Sequence, residues 1–146
     1  MVATDEDPAT ARYGESFYAF LPRVVVGEWQ AACDLERKRL AKYHLPFWHN
    51  EIWMYLVCTA AMGGLLGAVW GPRAVLCFVL QAFVAVLLFE SVNYLEHYGM
   101  ERSRDARTGA YERGRPQHSW DSTARCTNHI LIKLQRHADH HAHAGK

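Results

Sequence analysis

Three histidines close together near the C-terminal end of the sequence have the spacing of a metal site. His137, His140 and His141 lie in the run LQRHADHH, within a stretch from Asn128 whose apolar residues have helical spacing. On a helix these positions are i, i+3 and i+4, so the imidazoles project from one face and can converge on one metal pair. Imidazole binds iron, copper and zinc, so the spacing alone does not identify the metal. A solvated histidine-rich tail is the alternative, and His143, which leaves that face, fits this alternative.

A further candidate histidine follows an apolar run, in the sequence NYLEHYG. If a helix continues past the apolar run, Glu90, Asn93 or Tyr94, and His97 share one of its faces. Polar groups beside such an apolar run are costly unless they point at a partner, which is the functional interpretation. The alternative is a helix that ends at Gly99 and leaves His97 in water. The residues alone leave both interpretations open.

Two apolar stretches of the sequence predict membrane-spanning helices, and these helices must position the candidate histidines. Residues 52–70 contain no charged side chain, and a helix of this length spans about 28 Å, close to the thickness of the hydrocarbon core. Residues 74–89 are apolar except for Gln81, and the sequence at 71–73 predicts a tight turn. Two buried helices of a soluble protein are the alternative, but the remaining polar chain is too short to cover them on every side. We therefore predict an all-α integral membrane protein with a transmembrane hairpin at 51–92.

The segments on either side of this hairpin are polar. Their basic residues outnumber the single Arg73 of the turn, so both ends of the hairpin are expected to face the cytoplasm, at the inner membrane if the source is bacterial. Residues 1–50 are predicted to form a cytoplasmic segment with a helix over 24–42, and residues 93–146 a cytoplasmic region that carries the histidine motifs. Membrane lipid is thus an expected partner. The formal net charge of +1 removes the main argument for binding nucleic acid.

Several segments of the chain resemble one protein family. The sequences NYLEHYG, YERGRPQHSW and LQRHADHHAH, together with VATDEDPATARYGESFYAFLPR, are similar to the integral-membrane alkane hydroxylases of the membrane fatty-acid desaturase and hydroxylase superfamily. The first and third segments in combination are highly specific, whereas HxxHH alone also fits desaturases. The resemblance implies that residues 1–146 are a single C-terminal part of a larger multi-span helical bundle. The HExxHK and EHxxGHH boxes of the family do not occur in this sequence.

The resemblance implies a non-haem di-iron monooxygenase that uses O2 to hydroxylate the terminal methyl group of n-alkanes. Electrons would come from rubredoxin and its reductase. The ligands of the two iron ions, carried over by position, are His97, His137, His140 and His141. The candidates for groups that orient their imidazoles are Glu90, Glu96, His118 and Asp139. Because the ligand set is incomplete, the chain by itself is expected to be inactive.

Two other interpretations stay open. A fatty-acid desaturase or hydroxylase, or a xylene-type monooxygenase, would share the HxxHH pattern, although desaturases lack the NYLEHYG segment. A non-catalytic membrane subunit could instead bind one metal ion through His137, His140 and His141, without consuming O2. His129 lies at a position that is usually apolar in the family, so it is not predicted to be a ligand.

Overall fold

The structure, a computed structural model, describes residues 3–4, 7–113, 115–122 and 124–130. This part of the chain is all-helical, and its α-helices are α1 (Phe17–Lys42), α2 (Glu51–Trp70), α3 (Pro72–His97) and the short α4 (Arg125–Ile130). Single 3-10 turns lie at Phe47–His49 and Pro116–His118. Among these described residues, β structure is limited to an isolated bridge between Arg104 and Tyr111. The predicted all-α class is confirmed.

The first helix begins earlier than the sequence predicted, at Phe17 instead of residue 24. The Oγ atom of Ser16 accepts a hydrogen bond from the N–H group of Ala19 at 3.3 Å, which satisfies one of the donors that a helix start leaves without a partner. Pro22 lies inside the helix, where it lacks a hydrogen-bond donor and is unfavourable. The helix nevertheless continues through it, because Phe20 and Val24 on either side are buried in a common core.

The second and third helices form a hairpin that is joined by one residue. Asn50 precedes α2, and its side chain accepts a hydrogen bond from the N–H group of Trp53 at 3.1 Å. After Trp70 the chain turns at Gly71, whose φ of +81° favours glycine. Pro72 is already the first residue of α3, a position that suits its fixed φ and its missing N–H group. The turn is therefore shorter than the three residues predicted.

Two glycines of α2 face α3, and the closer approach to α3 is at Gly67. A Cβ atom on Gly67 would lie 2.9 Å from Cγ2 of Val75, and one on Gly63 would lie 3.9 Å from the ring of Phe78. Small residues at such positions let membrane helices approach each other. Outside this contact the helices are exposed, since the most apolar window is 0% buried in α2 and 6% buried in α3. Both helices are long and apolar enough to cross a membrane. The predicted pair of membrane-length helices is confirmed.

A salt-bridge network connects the end of α1 to the start of α2. The carboxylate of Glu36 accepts hydrogen bonds from Nε of Arg39 at 2.7 Å and from the N–H group of Glu51 at 2.8 Å. Arg39 also donates to the carbonyl oxygen of His49 at 2.7 Å. The guanidinium group, followed by the N–H group of Glu51, lowers the pKa of Glu36 to about 2. The negative charge so maintained lies at the N-terminus of α2, where a helix favours it.

The described residues divide into two compact units. One is Val26–Leu87, which holds α2 and parts of α1 and α3. The other combines the chain up to Val25 with the chain from Leu88 onward. Its buried core is Ala11, Phe20 and Val24, and the partly buried residues packed against it are Ala9, Phe17, Tyr94 and Tyr98. The N-terminal segment therefore packs on the last turns of α3, which carry His97.

Candidate metal centre

His97 is the last residue of α3, and its side chain is buried, with 4% of the residue exposed. The helix stops here because Gly99 adopts a φ of +66°, a conformation typical of the residue that follows a helix. The N–H group of Gly99 donates a hydrogen bond to the carbonyl oxygen of Ala11 at 2.9 Å. The helix thus ends next to Gly99, as one of the two interpretations of the sequence expected, but His97 is not in water.

Tyr94 attaches the predicted polar face of α3 to the N-terminal segment. Its ring centroid lies 5.6 Å from that of Phe17 and 5.3 Å from that of Phe20. Its hydroxyl group donates a hydrogen bond to the carbonyl oxygen of Glu15 at 2.6 Å. This contact covers the helix turn just before His97.

Glu90 and Glu96 are the other buried polar residues of α3, and they are 3% and 6% exposed. One carboxylate oxygen of Glu90 accepts a hydrogen bond from the side-chain amide of Asn93 at 3.3 Å. Such a bond reduces the cost of a carboxylate beside an apolar helix. Glu90 lies two turns before His97, and Glu96 is its neighbour in the chain. A role for either carboxylate in orienting the imidazole stays a prediction.

The Ser119–Trp120 segment lies against the end of α3. The N–H group of Trp120 and the hydroxyl group of Ser119 donate to the carbonyl oxygen of Glu96, at 2.8 Å and 3.3 Å. The indole N–H group of Trp120 donates to the carbonyl oxygen of Tyr98 at 3.1 Å. The last carbonyl groups of a helix have no partner within the helix, so these bonds supply one. Ser119 and Trp120 belong to the segment YERGRPQHSW, and His97 belongs to NYLEHYG. The first segment thus contacts the second one on both sides of His97.

His118 is buried, and both of its ring nitrogens contact its own loop. Its Nδ1 atom accepts a hydrogen bond from the N–H group of Arg115 at 3.0 Å, and its Nε2 atom lies 3.5 Å from a carboxylate oxygen of Glu112. A neutral ring that accepts at Nδ1 carries its proton on Nε2, facing the carboxylate. In this arrangement the connection from His118 to His97 runs through the neighbouring Ser119 and Trp120 and their bonds to α3.

Two features of this region were not predicted from the sequence. Glu112 contacts His118, and its pKa is lowered, above all because its carboxylate accepts a hydrogen bond from the N–H group of Ser103. Arg23 donates to the carboxylate of Glu15 at 2.8 Å and 2.7 Å, which lowers the pKa of that group. The guanidinium group also donates to two carbonyl oxygens of the N-terminal segment. Both features depend on loop geometry and have no spacing signal in the sequence.

The predicted ligands are only partly within the described chain. The residues His137, Asp139, His140 and His141 lie outside it, and so does His143. Among the described residues, no group of three or more His, Cys, Asp or Glu side chains could hold a metal ion. His97 itself suits such an ion, because its Nδ1 atom is buried and imidazole is a good ligand for iron. The chemistry of this donor therefore fits a metal ion, and the other predicted ligands lie outside the described part.

The fold and the site define a helical integral membrane protein with a buried histidine at the end of its second span. The family model for fatty acid desaturases matches residues 1–146, and the chain belongs to this family. It is 47% identical to alkane 1-monooxygenase 1 of Pseudomonas aeruginosa over 98% of its length, and 43% identical to alkane 1-monooxygenase of Acinetobacter baylyi over 97%. It is also 24% identical to the xylene/toluene monooxygenase hydroxylase component of Pseudomonas putida over 94%. The chain spans only 38%, 35% and 36% of these three relatives.

Proposed function

We propose that this chain is part of a non-haem di-iron monooxygenase that hydroxylates the terminal methyl group of n-alkanes with O2. The observation that carries the proposal is the buried His97 at the end of a membrane-length apolar helix. Relatives that are 40% to 47% identical over nearly the whole chain are named alkane 1-monooxygenases, which supports the substrate class. The chain covers little more than a third of those relatives, so in this proposal it contributes only part of the catalytic unit.

The iron ions would be held by His97 together with His137, His140 and His141. Bound iron supplies the redox chemistry that activates O2. The residues of this chain keep water away from His97 and hold the helix end through the bonds to Ser119 and Trp120. An alkane has no group that can form a hydrogen bond, so its position must come from an apolar surface, and the apolar helix α3 that ends at His97 would contribute to it.

The electron donor in this proposal is rubredoxin, reduced by its own reductase and bound at the cytoplasmic face. The loop after α3 provides support, since it places the guanidinium groups of Arg104, Arg107 and Arg113 at an exposed surface. Exposed cations increase the association rate of an acidic partner. The proposal also places both ends of the hairpin in the cytoplasm, on the inner membrane of a bacterial cell.

A chimera tests the activity. These 146 residues would replace the matching segment of alkane 1-monooxygenase 1 of Pseudomonas aeruginosa, in cells that lack other alkane hydroxylases. We expect the cells to convert at least one member of a series of short to long n-alkanes to its 1-alcohol when rubredoxin and its reductase are present, and to stop when rubredoxin is omitted. Production of methylbenzyl alcohol from xylene without any 1-alcohol from the alkanes would favour the xylene-type alternative. A membrane-inserted chimera that oxidises neither xylene nor any alkane of the series would contradict the proposal.

The ligand assignment is tested in the same chimera. The substitution His97→Ala should remove both iron and turnover, and so should alanine at His137, His140 or His141. His129→Ala is the matched control, because this histidine is exposed on α4 and is not a predicted ligand. If any of the four ligand variants kept normal iron content and activity, that residue would leave the ligand set.

A further inference from the structure

Glu112 makes contacts with two separate parts of the chain around it. Its N–H group donates to the carbonyl oxygen of Ser103, and a carboxylate oxygen accepts from the N–H group of Ser103, each at 2.9 Å. Its carbonyl oxygen accepts a hydrogen bond from Nε of Arg102 at 2.8 Å. The same carboxylate oxygen that binds Ser103 lies 3.5 Å from Nε2 of His118. Main-chain and side-chain bonds thus hold this carboxylate in a fixed direction towards His118.

The ring of His118 is held between a hydrogen-bond donor on one side and a negatively charged carboxylate on the other. An N–H group, from Arg115, faces Nδ1, and the Glu112 carboxylate faces Nε2. The first requires an acceptor and the second favours a donor, so together they select one tautomer and one ring orientation. The side chain of His118 is only 4% exposed, whereas that of Glu112 is 28% exposed. The carboxylate therefore approaches the buried ring from the solvent side.

The two residues that follow His118 make the bonds that reach the candidate metal ligand. Ser119 and Trp120 donate to the carbonyl oxygen of Glu96, and the Trp120 indole donates to that of Tyr98. These two carbonyl groups belong to the residues immediately before and after His97 in the chain. Ser119 and Trp120 follow His118 directly in the chain, so the donors that hold both carbonyl groups are adjacent to the held ring.

We propose that Glu112 and His118 are positioning residues for the metal centre. The carboxylate fixes the ring of His118, and the ring holds Ser119 and Trp120 against the carbonyl groups on either side of His97. Both nitrogens of His118 are engaged in its loop, so the pair acts through the backbone of α3 and not as metal ligands. This inference rests on the proposed function, because it takes His97 as an iron ligand.

Hydrogen–deuterium exchange tests the first half of this proposal in the chimera, purified in detergent. Glu112→Gln keeps an oxygen for the N–H group of Ser103 but removes the charge that faces His118. We expect the amide of Trp120 to exchange about tenfold faster, because the electrostatic contact of the carboxylate with Nε2 of His118, 3.5 Å away, is lost. Asp105→Asn is the matched control, because the contacts described for that carboxylate are with Arg107 and Thr108, both in its own turn. It should leave exchange at Trp120 unchanged.

The Mössbauer spectrum of bound iron tests the second half of the proposal, the effect of the pair on the metal centre. Glu112→Gln should alter the Mössbauer spectrum of the bound iron, while the amount of folded protein stays the same and Asp105→Asn has no effect. His118→Asn keeps an oxygen near the position of Nδ1 and removes Nε2. Because the two residues act in one chain of contacts, adding Glu112→Gln to His118→Asn should change neither readout further.

The exchange at Trp120 and the iron spectrum together decide whether Glu112 and His118 position the metal centre. Unchanged exchange at Trp120 in Glu112→Gln would overturn the proposal, and so would faster exchange with an unaltered iron spectrum, which would show a purely structural contact. If His97→Ala loses the iron spectrum while Glu112→Gln retains it, the positioning role alone is refuted. If His97→Ala retains the spectrum, the assignment of His97 as a ligand in the proposed function is refuted, and the positioning role with it.

Discussion

Replacing Gly67 with alanine tests how closely α2 and α3 approach each other. The added Cβ atom would lie 2.9 Å from Cγ2 of Val75, well inside the separation of about 3.5–4.0 Å at which carbon atoms attract. Val75 cannot easily move this methyl group, because a valine in a helix has one strongly preferred rotamer. The helices must therefore separate or the side chain must adopt a poor rotamer, at a cost of about 1–3 kcal/mol.

Gly64→Ala is the matched control for this substitution. A Cβ atom on Gly64 meets nothing within 4 Å, and both glycines lie inside α2. The two substitutions change helix propensity alike, by up to about 1 kcal/mol in favour of alanine, so this contribution cancels in their difference. We expect Gly67→Ala to be less stable than Gly64→Ala by about 1–3 kcal/mol. Val75→Ala removes the methyl group and should restore most of the loss when combined with Gly67→Ala.

The free energy of unfolding would be measured by titration with sodium dodecyl sulfate in mixed micelles, followed by tryptophan fluorescence. Equal stability of Gly67→Ala and Gly64→Ala would refute the close approach of the helices. If Gly67→Ala lowers the free energy of unfolding and Val75→Ala does not restore it, the added methyl group clashes with a group other than Val75.

Three more predictions follow from contacts elsewhere in the protein. His97→Ala should abolish iron binding, measured as iron per folded protein, whereas His129→Ala should leave it unchanged. Tyr94→Phe removes the hydrogen bond to the carbonyl oxygen of Glu15 and should lower the free energy of unfolding by about 0.5–1.5 kcal/mol in the same titration. The pKa of Glu36 is lowered from 4.5 to about 2, so the stability that its charge provides is complete above pH 4.5 and is lost as the pH falls towards 2. The melting temperature of Glu36→Gln should therefore be lower than that of the unchanged protein at neutral pH. The two melting temperatures should converge in strong acid.

Local patterns in the sequence were enough to predict the hairpin. A long uncharged apolar run predicts a helix that can cross a membrane. The observed bounds of α2 differ from the predicted run only at Glu51. The start of α1 was missed because it depends on contacts between distant parts of the chain. Phe20 and Val24 form a core with Ala11, and this core keeps Pro22 inside a helix that its own preference would interrupt.

The sequence identified candidate residues for the site, whose role as ligands stays a prediction, but it could not predict the surroundings of His97. The spacing around His97 indicated a polar face, yet it could not distinguish a buried imidazole from a wet one, because burial depends on the N-terminal segment. His118 was identified by family resemblance. Glu112 was not, since an isolated carboxylate in a polar loop has no periodicity, and its contact with His118 is formed only when the loop folds back.

The end of α3 is held mainly by bonds to the main chain. The N–H group of Gly99 binds the N-terminal segment, and the carbonyl groups of Glu96 and Tyr98 accept bonds from the segment that contains Trp120. A helix end offers these groups whatever its side chains are, so the backbone around His97 is fixed from both directions by bonds that do not involve the imidazole. The proposed role of His97 as a metal ligand requires a position that is held to within a fraction of an ångström, and bonds to the adjacent main chain contribute to that precision. The two segments that supply these bonds are distant from each other in the chain, so the position of His97 depends on the packing of both segments against the helix end and not on α3 alone.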